Sequence, residues 1–425
     1  MRSKRSPKQR RTDKKSPAAK AGARVSPPRK HAQKPARKAS GPGPRRKSPG
    51  RTPSPDDRLS RAVGLAENGK IKQALKAAEG ILASHPEHWR TLHFTSSLLM
   101  RADQMEGALA FAKRAFVHAP DNAEIRHQLA MNIVACADRL SRPEDAISAC
   151  QEFLDRYEPS AGLLSTLSAL QIRARRPSDG LKTADKGIAL FPDNVTLHHN
   201  RSGALFHLGR VEEAADAFGR ILRPLVSDPG DTTAEVVSHY AALAEGYDDN
   251  RLHQIYGRLM AQLIVQTVGA TVAKRVLDAG CGTGALGANI RTARLVGIDL
   301  SPDMLAKARV KNLYHDLVEG DLPTVMAQRT DRFDIIAAAV VLYHTPDLGP
   351  FFREAARLLV TGGHLFFSVD PAPDSMDIGI TGPGEYAHSR AYVRRLAAET
   401  GFAETTIKIM PHRGNPGFWC AFRRT

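Results

Sequence analysis

The sequence predicts a doubly wound, mostly parallel α/β domain in its C-terminal half, preceded by an all-α array of helical repeats and a basic N-terminal tail. Three observations predict this. A glycine-rich turn, Gly280-Cys281-Gly282-Thr283-Gly284, follows the buried-strand run Val276-Leu277-Asp278. Short apolar runs then alternate with helical patterns to the end of the chain. Ahead of them, Ala74 and Pro86 return as Ala108 and Pro120, each 34 residues on, a period that marks stacked helix pairs.

The tail comes first in the chain. The net charge is +17, but residues 1–55 hold 19 Lys and Arg against one acid, Asp13, which is +18 and leaves −1 for everything after them. The later domains are therefore nearly neutral. Residues 1–55 contain no Leu, Ile, Phe, Tyr or Trp, so residues 1–56 are expected to be disordered: they lack the apolar surface that offsets ordering entropy. Lys and Arg interleaved with Ser, Pro and Gly suit weak, sequence-blind attraction to polyanions, and the absence of aromatics removes any stacking on bases. A solubilising tail without a fixed partner would read the same way. Ser-Pro pairs at Ser6, Ser16, Ser26, Ser48 and Ser54 would suit phosphorylation.

Helical repeats are expected over residues 57–224. A third unit carries Ala146 and Pro159 with an insertion around Asp138 to Pro143, a fourth Gly180 and Pro192, and a fifth Ala214 and Phe218. Small residues recur where the two helices of a unit cross closely, and Trp89 and Phe111 would fill the wider gaps. The array resembles tetratricopeptide proteins, and the resemblance implies a concave face that holds a protein partner; a spacer or dimerisation surface is the alternative. Pro224, Asp228, Pro229 and Gly230 mark a linker over 225–235.

The last domain, residues 236–425, is expected to carry its own complete core. Tyr240 to Tyr247 leads into an amphipathic helix bearing Leu252, Ile255, Tyr256 and Leu259; Tyr247 and Tyr256 are candidate lid residues, with Tyr256 the better placed for the core. Parallel strands are expected at 275–278, 295–299, 314–318, 333–340 and 364–369, and a closing antiparallel hairpin at 407–410 and 418–422, giving seven strands. The glycine turn is read as running into a helix, so that bare N–H groups face a ligand at the strand's carboxyl end. Ser301 caps the next helix, with Pro302 at its first position.

Taken alone, Gly282-x-Gly284-x-x-Gly287 with Asp299 downstream matches a dinucleotide fingerprint, which leaves an NAD-dependent oxidoreductase open. The fuller pattern is different. Asp-Ala-Gly-Cys-Gly-Thr-Gly at 278–284, Leu295-Val296-Gly297-Ile298-Asp299 with Leu300-Ser301-Pro302-Asp303-Met304, and Glu319-Gly320-Asp321-Leu322-Pro323 stand in register. This resembles the three motifs of class I S-adenosylmethionine-dependent methyltransferases, with a Rossmann-like sheet, and the whole chain resembles bacterial methyltransferases that contain tetratricopeptide repeats. The resemblance implies S-adenosylmethionine as cofactor. Asp278 and Gly280 would lie at its methionine part, Asp299 at the ribose hydroxyls, and Met304, Asp321 and Leu322 at the adenine, with Gly282, Gly284 and Leu300 also binding the cofactor.

On the acceptor side, His344 in Val341-Leu342-Tyr343-His344 and His388 in Gly384-Glu385-Tyr386-Ala387-His388-Ser389 are candidate general bases, each of which could instead be structural. The acceptor is not identified by sequence. Asn or Asp followed by Pro-Pro-aromatic is absent at 341–344, which disfavours DNA bases, and a glutamate pair after this strand is absent, which disfavours protein arginine. A scaffold with a degenerate enzyme domain is the competing reading. Cys136, Cys150, Cys281 and Cys420 form no CxxC pair, so no metal site is expected, and no apolar run approaches the roughly 18 residues of a membrane span. A cytoplasmic protein fits these features.

Overall fold

The computed structural model describes residues 53–425 apart from 228, 229 and 231. The expectations for residues 1–52, and the linker marks Asp228 and Pro229, lie outside the described residues. Residues 53–56 depart from the tail reading. Helix α1 (Pro55–Glu67) begins here, because Ser54 Oγ accepts the Asp57 N–H at 3.1 Å while the Asp57 carboxylate accepts the Ser54 N–H at 2.9 Å. This reciprocal cap satisfies two end donors, and Pro55 sits where a missing N–H costs nothing.

Five helix hairpins follow: α1 with α2 (Ile71–Leu82), α3 (Trp89–Arg101) with α4 (Met105–His118), α5 (Ala123–Arg139) with α6 (Pro143–Leu154), α7 (Ala161–Arg173) with α8 (Pro177–Leu190), and α9 (Val195–His207) with α10 (Val211–Gly219). Ala74, Ala108, Ala146 and Ala214 are fully buried at the crossings, and a Cβ on Gly180 would stand 2.6 Å from Ile172 Cγ1. Larger side chains would force the helices apart. Ser96, Ser168 and Ser202 each donate a hydroxyl across a hairpin, to the carbonyls of Ala108, Gly180 and Ala214, at 2.7–2.8 Å. Each hairpin turns through one left-handed residue: Gly69, Asp103, Ser141, Arg175 and Gly209, all with φ between +55° and +75°. The insertion in the third unit is absorbed as an extra turn of α5, which has 17 residues against 13 in α3. Trp89 and Phe111 pack half-buried on the array's core.

After α10 come a two-residue strand β1 (Arg223–Pro224), helix α11 (Thr233–Leu243) and helix α12 (Arg251–Val268). The sheet proper contains β2 (Arg275–Ala279), β3 (Arg294–Asp299), β4 (Asp316–Glu319), β5 (Phe333–Ala338) and β6 (Leu359–Ala372), interleaved with α13 (Pro302–Val310), α14 (Leu322–Gln328) and α15 (Gly349–Leu358). Strands β7 (Ile378–Gly382) and β8 (Glu385–Ser389), helix α16 (Arg390–Glu399), and strands β9 (Phe402–His412) and β10 (Asn415–Arg424) complete the chain. The order β4-β3-β2-β5-β6-β10-β9 is parallel except for β10, which runs antiparallel to both neighbours. These are the seven strands expected.

Two features were not expected. The far end of β6 extends past the hairpin and pairs with β8, β8 pairs with β7, and β7 pairs with β1. Ile378 to Ser389 is rich in glycine and polar residues, so it lacks the apolar run that marks a strand; backbone pairing alone recruits it. The bond from Leu225 N–H to the Ile378 carbonyl, 3.0 Å, carries that pairing into the stretch read as linker. The core of the C-terminal domain is also not wholly its own. Ala215 of α10 belongs to the core under the sheet, Phe218 and Leu222 pack with Ala372 and Ala387, and Arg390 pairs with Glu212 at 2.8 Å. The last repeat covers apolar residues at the β6/β8 edge that would otherwise face water. No described helix is long and apolar enough to cross a membrane.

Candidate functional site

A cavity of about 440 Å³ opens at the carboxyl ends of β2, β3 and β5, beneath α11 and α12. Its floor is the glycine turn. Gly280 takes φ +75°, and a Cβ there would lie 2.5 Å from Val341. Gly282 takes φ +54° with no atom within 4 Å of where a Cβ would stand, so no side chain obstructs the cavity there, but the bare N–H groups expected of the turn are already committed, those of Gly280 and Cys281 to the Ile298 carbonyl and that of Gly282 to Asp299. The expected helix after the turn is absent; a single 3-10 turn, Gly287–Asn289, stands in its place. Four glycines between Ala279 and Arg294 leave too few helix formers to extend it. Gly284 and Gly287 serve a different purpose from ligand approach. Both make room for Tyr314, whose ring a Cβ at either site would strike at 2.8–3.0 Å.

Asp278 is the penultimate residue of β2 and is 1 % exposed. Its carboxylate accepts the Tyr314 hydroxyl at 2.6 Å. Burial pushes its pKa up to about 7, with the Tyr314 hydrogen bond pulling the other way. Asp299, at the tip of β3, accepts the Gly282 N–H at 2.7 Å and the Ser301 N–H at 2.9 Å. It ties the glycine turn to the next strand. Ser301 caps α13 as expected, which brings the buried Met304, together with Leu300, to the cavity wall. Asp321 caps α14 through the Thr324 N–H, so that Asp321 and Leu322 stand at the rim.

The lead-in segment forms the roof. Asp248 accepts the Thr283 hydroxyl at 2.6 Å and pairs with Lys311 at 2.7 Å, and Glu245 pairs with Lys307 at 2.6 Å. Tyr247 lines the cavity and stacks on His253 at 3.8 Å. Tyr256 reaches the cavity but is 7 % exposed in the core, its hydroxyl accepting the Gly414 N–H at 3.0 Å.

The two histidines part company. His344 lines the cavity, with Nδ1 3.2 Å from the Gly384 carbonyl and Nε2 3.2 Å from the Tyr240 hydroxyl, which is itself 2.6 Å from the Tyr343 hydroxyl. Burial lowers its pKa, and the Gly384 bond opposes that shift. His388 is fully buried and is not among the cavity's lining residues. It bonds the Pro346 carbonyl at 3.0 Å through Nε2, and burial drives its pKa down to about 4. It supports the chain behind His344.

Arg413, which the sequence reading did not single out, also lines this end. Its guanidinium sits 3.7 Å over the Tyr343 ring, 2.9 Å from Asp370, and in contact with Glu385. Burial works against its charge, but the two carboxylates more than offset this and keep it cationic. Asp370 in turn bonds His412 at 2.7 Å. Val340, two residues beyond β5, is held at φ +53°. That is a strained conformation for a β-branched residue, placed where strand and cavity meet. Tyr314, Asp370 and Arg413 belong to no motif, so the sequence offered no signal for them. Among the described lining residues the acids are Asp278, Asp299 and Asp321, all at the glycine-turn end.

Residues 277–367 match the family described as a methyltransferase domain, and residues 59–123 and 166–231 match the tetratricopeptide repeat. The chain thus carries a stretch that matches a methyltransferase domain and two that match tetratricopeptide repeats. The methyltransferase domain is similar to ubiquinone biosynthesis O-methyltransferases. That of Cronobacter sakazakii is 30% identical over 145 residues, 32% of this chain and 59% of the relative. That of Yersinia pestis is 32% identical over 123 residues, 28% of this chain and 50% of the relative. The chain thus spans half to three fifths of the length of these relatives. Among solved structures, the 1,6-didemethyltoxoflavin-N1-methyltransferase of Burkholderia thailandensis, with bound 1,6-didemethyltoxoflavin and S-adenosylhomocysteine, is 18% identical. The match covers 48% of this chain and 95% of that one, at a TM-score of 0.39.

Proposed function

We propose that this protein is an S-adenosylmethionine-dependent methyltransferase acting on an oxygen of its acceptor, and that the repeat array docks a protein that is either the substrate or a partner. The observation that carries the reading is that Asp278, a buried carboxyl, and Gly282, with open space where a Cβ would stand, line the same end of the cavity. The residues present fit the cofactor. Asp278 offers a carboxylate to its ammonium, Asp299 has lone pairs left for ribose hydroxyls, and Asp321 with Leu322 offers an acceptor and an apolar edge to the adenine. When bound, the cofactor supplies a methyl on a sulfonium, activated for transfer to an acceptor lone pair, with the carbon–sulfur bonding pair staying on sulfur.

The chain's own work is then to orient the acceptor, exclude water and take up a proton. The roof formed by α11 and α12 covers the glycine turn, latched by Asp248 on Thr283 and Lys311. Oxygen is favoured as the acceptor atom because the acids lie at the cofactor end, while Tyr240, Tyr343, His344 and Arg413 form the other. The carboxylates at that end, Asp370 and Glu385, are already paired with Arg413, so a cationic amine would meet no unpaired one. The O-methyltransferase relatives agree with this choice.

Calorimetry with S-adenosylmethionine and NAD tests the first half of the reading: micromolar binding of the former in preference to the latter is expected, and preference for NAD would return the oxidoreductase reading. For the array, labelled-methyl transfer in a cell extract by the full chain and by a chain lacking α1 to α4 is compared, with protein and small-molecule fractions counted separately. Docking raises the acceptor's effective concentration without changing the chemistry, so transfer to protein should fall sharply in the truncated chain. Equal transfer by both into small molecules alone rejects a protein acceptor.

A further inference from the structure

The hydrogen bonds around His344 have a direction that follows from chemistry alone. A carbonyl oxygen can only accept, so the 3.2 Å contact between His344 Nδ1 and the Gly384 carbonyl places a proton on Nδ1. In the neutral ring Nε2 then carries the lone pair, so the Tyr240 hydroxyl, 3.2 Å away, must donate to it. With its proton committed, the Tyr240 oxygen can only accept from the Tyr343 hydroxyl at 2.6 Å. The three groups form a chain in which every donor points toward His344. At its outer end is the Tyr343 oxygen, whose lone pairs have no donor among the bonds described.

We propose that Tyr343, Tyr240 and His344 are a proton wire that draws the proton from a hydroxyl acceptor, a phenol or an alcohol, and stores it on His344 Nε2. The inference rests on the methyl-transfer reading and names how that reaction disposes of its proton. As the acceptor oxygen forms its bond to the methyl, its proton passes to the Tyr343 oxygen, the Tyr343 proton to Tyr240, and the Tyr240 proton to His344. The atoms and charge balance: the positive charge that leaves sulfur ends on the imidazolium, and no oxidant, reductant or further reactant is needed.

Arg413 has a defined place in this scheme. Fixed by Asp370 and Glu385 and lying 3.7 Å over the Tyr343 ring, it stabilises negative charge on that phenol as the proton departs. Gly384 is held in the β7/β8 hairpin, and its carbonyl keeps the histidine in the tautomer the wire requires. Tyr343 is the member that meets the acceptor. Tyr240 and His344 act through it.

The test replaces Tyr240 by Phe, which removes the middle hydroxyl and leaves both ends. Methyl transfer is measured with 3,4-dihydroxybenzoate as the probe acceptor, S-adenosylmethionine binding is measured separately by calorimetry, and the His344 ring nitrogens are observed by ¹⁵N NMR in the protein without cofactor. In the wild type, Nδ1 should be the protonated nitrogen. In Tyr240→Phe the Nε2 resonance should move as its hydrogen bond is lost, and kcat should fall about 100-fold, the scale of a lost general base, with KM and cofactor affinity within about twofold of wild type. Tyr343→Phe should lower kcat similarly, and serves if the first variant does not fold. A protonated Nε2 in the wild type, an unmoved Nε2 resonance in Tyr240→Phe, or a wild-type kcat in that variant overturns the wire. Where the wild type does not methylate the probe, the NMR result decides alone. Loss of cofactor binding in the wild type would instead defeat the methyltransferase reading, so the two failures are distinct.

Discussion

The Tyr314 hydroxyl donates to the buried Asp278 carboxylate at 2.6 Å, and the same ring occupies the space that side chains at Gly284 and Gly287 would need. The second and third glycines of the dinucleotide-like fingerprint are thus explained by a tyrosine beneath the turn. They carry no information about a pyrophosphate. Burial makes the charge of Asp278 costly to the folded chain, and the Tyr314 hydroxyl offsets part of that cost.

Asp278 makes the stability of the unliganded protein pH-dependent. Its folded pKa, about 7, is raised by burial above the unfolded value of 3.8, so between these values the folded state holds a proton the unfolded state has lost, and stability falls as pH rises through this window. The shift corresponds to about 4 kcal/mol. Asp278→Asn keeps an acceptor for Tyr314 and removes the charge. Thermal melts at pH 8 should show the unliganded variant more stable than wild type, with a flatter pH dependence, while calorimetry shows weakened S-adenosylmethionine binding. A less stable variant at pH 8 would reject the account.

Asp299→Ala should weaken S-adenosylmethionine binding by about 1–3 kcal/mol, the usual loss when buried donors lose their partner. Two effects combine here. The ribose hydroxyls lose an acceptor, and the Gly282 and Ser301 N–H groups are released from their positions. Unchanged affinity in a folded variant, by calorimetry, would remove Asp299 from the cofactor site.

Phe218→Ala should destabilise the protein by about 3–5 kcal/mol, although the residue lies in the last repeat. Phe218 is 3 % exposed and packs with Leu222, Ala372 and Ala387, so it belongs equally to the array and the sheet. Denaturant unfolding followed by tryptophan fluorescence and by loss of cofactor binding should shift together. A loss under about 1 kcal/mol would mean that the sheet is indifferent to α10. Deletions meant to remove the array have to spare this helix.

Gly209→Ala should cost about 1 kcal/mol. Gly209 has φ +75° and no atom within 4 Å of where a Cβ would stand, so the cost is conformational with no steric part. Urea unfolding measures it. A neutral result would show that the last hairpin turn relaxes out of the left-handed region.

The sequence by itself determined the period of the repeats, the seven strands of the main sheet and the acids that line one end of the cavity. Each of these is written in local chemistry: a small residue wherever two helices cross, an apolar run for each buried strand, a glycine where the turn is left-handed, and an acid at the tip of a strand. Asp278, Asp299 and Asp321 were legible because each sits in a motif a few residues long. Only the tertiary structure decided the acceptor end. His344 was a candidate from the sequence, but Tyr240 and Arg413 reach it and its neighbour Tyr343 from a roof helix and from the bend between β9 and β10, and no spacing along the chain connects these three places. It also decided that α10 completes the sheet's core, because an apolar edge is covered by whatever surface lies against it. The glycine turn ended without its helix for a local reason that the motif concealed, since its glycines make room for Tyr314 and are poor helix formers.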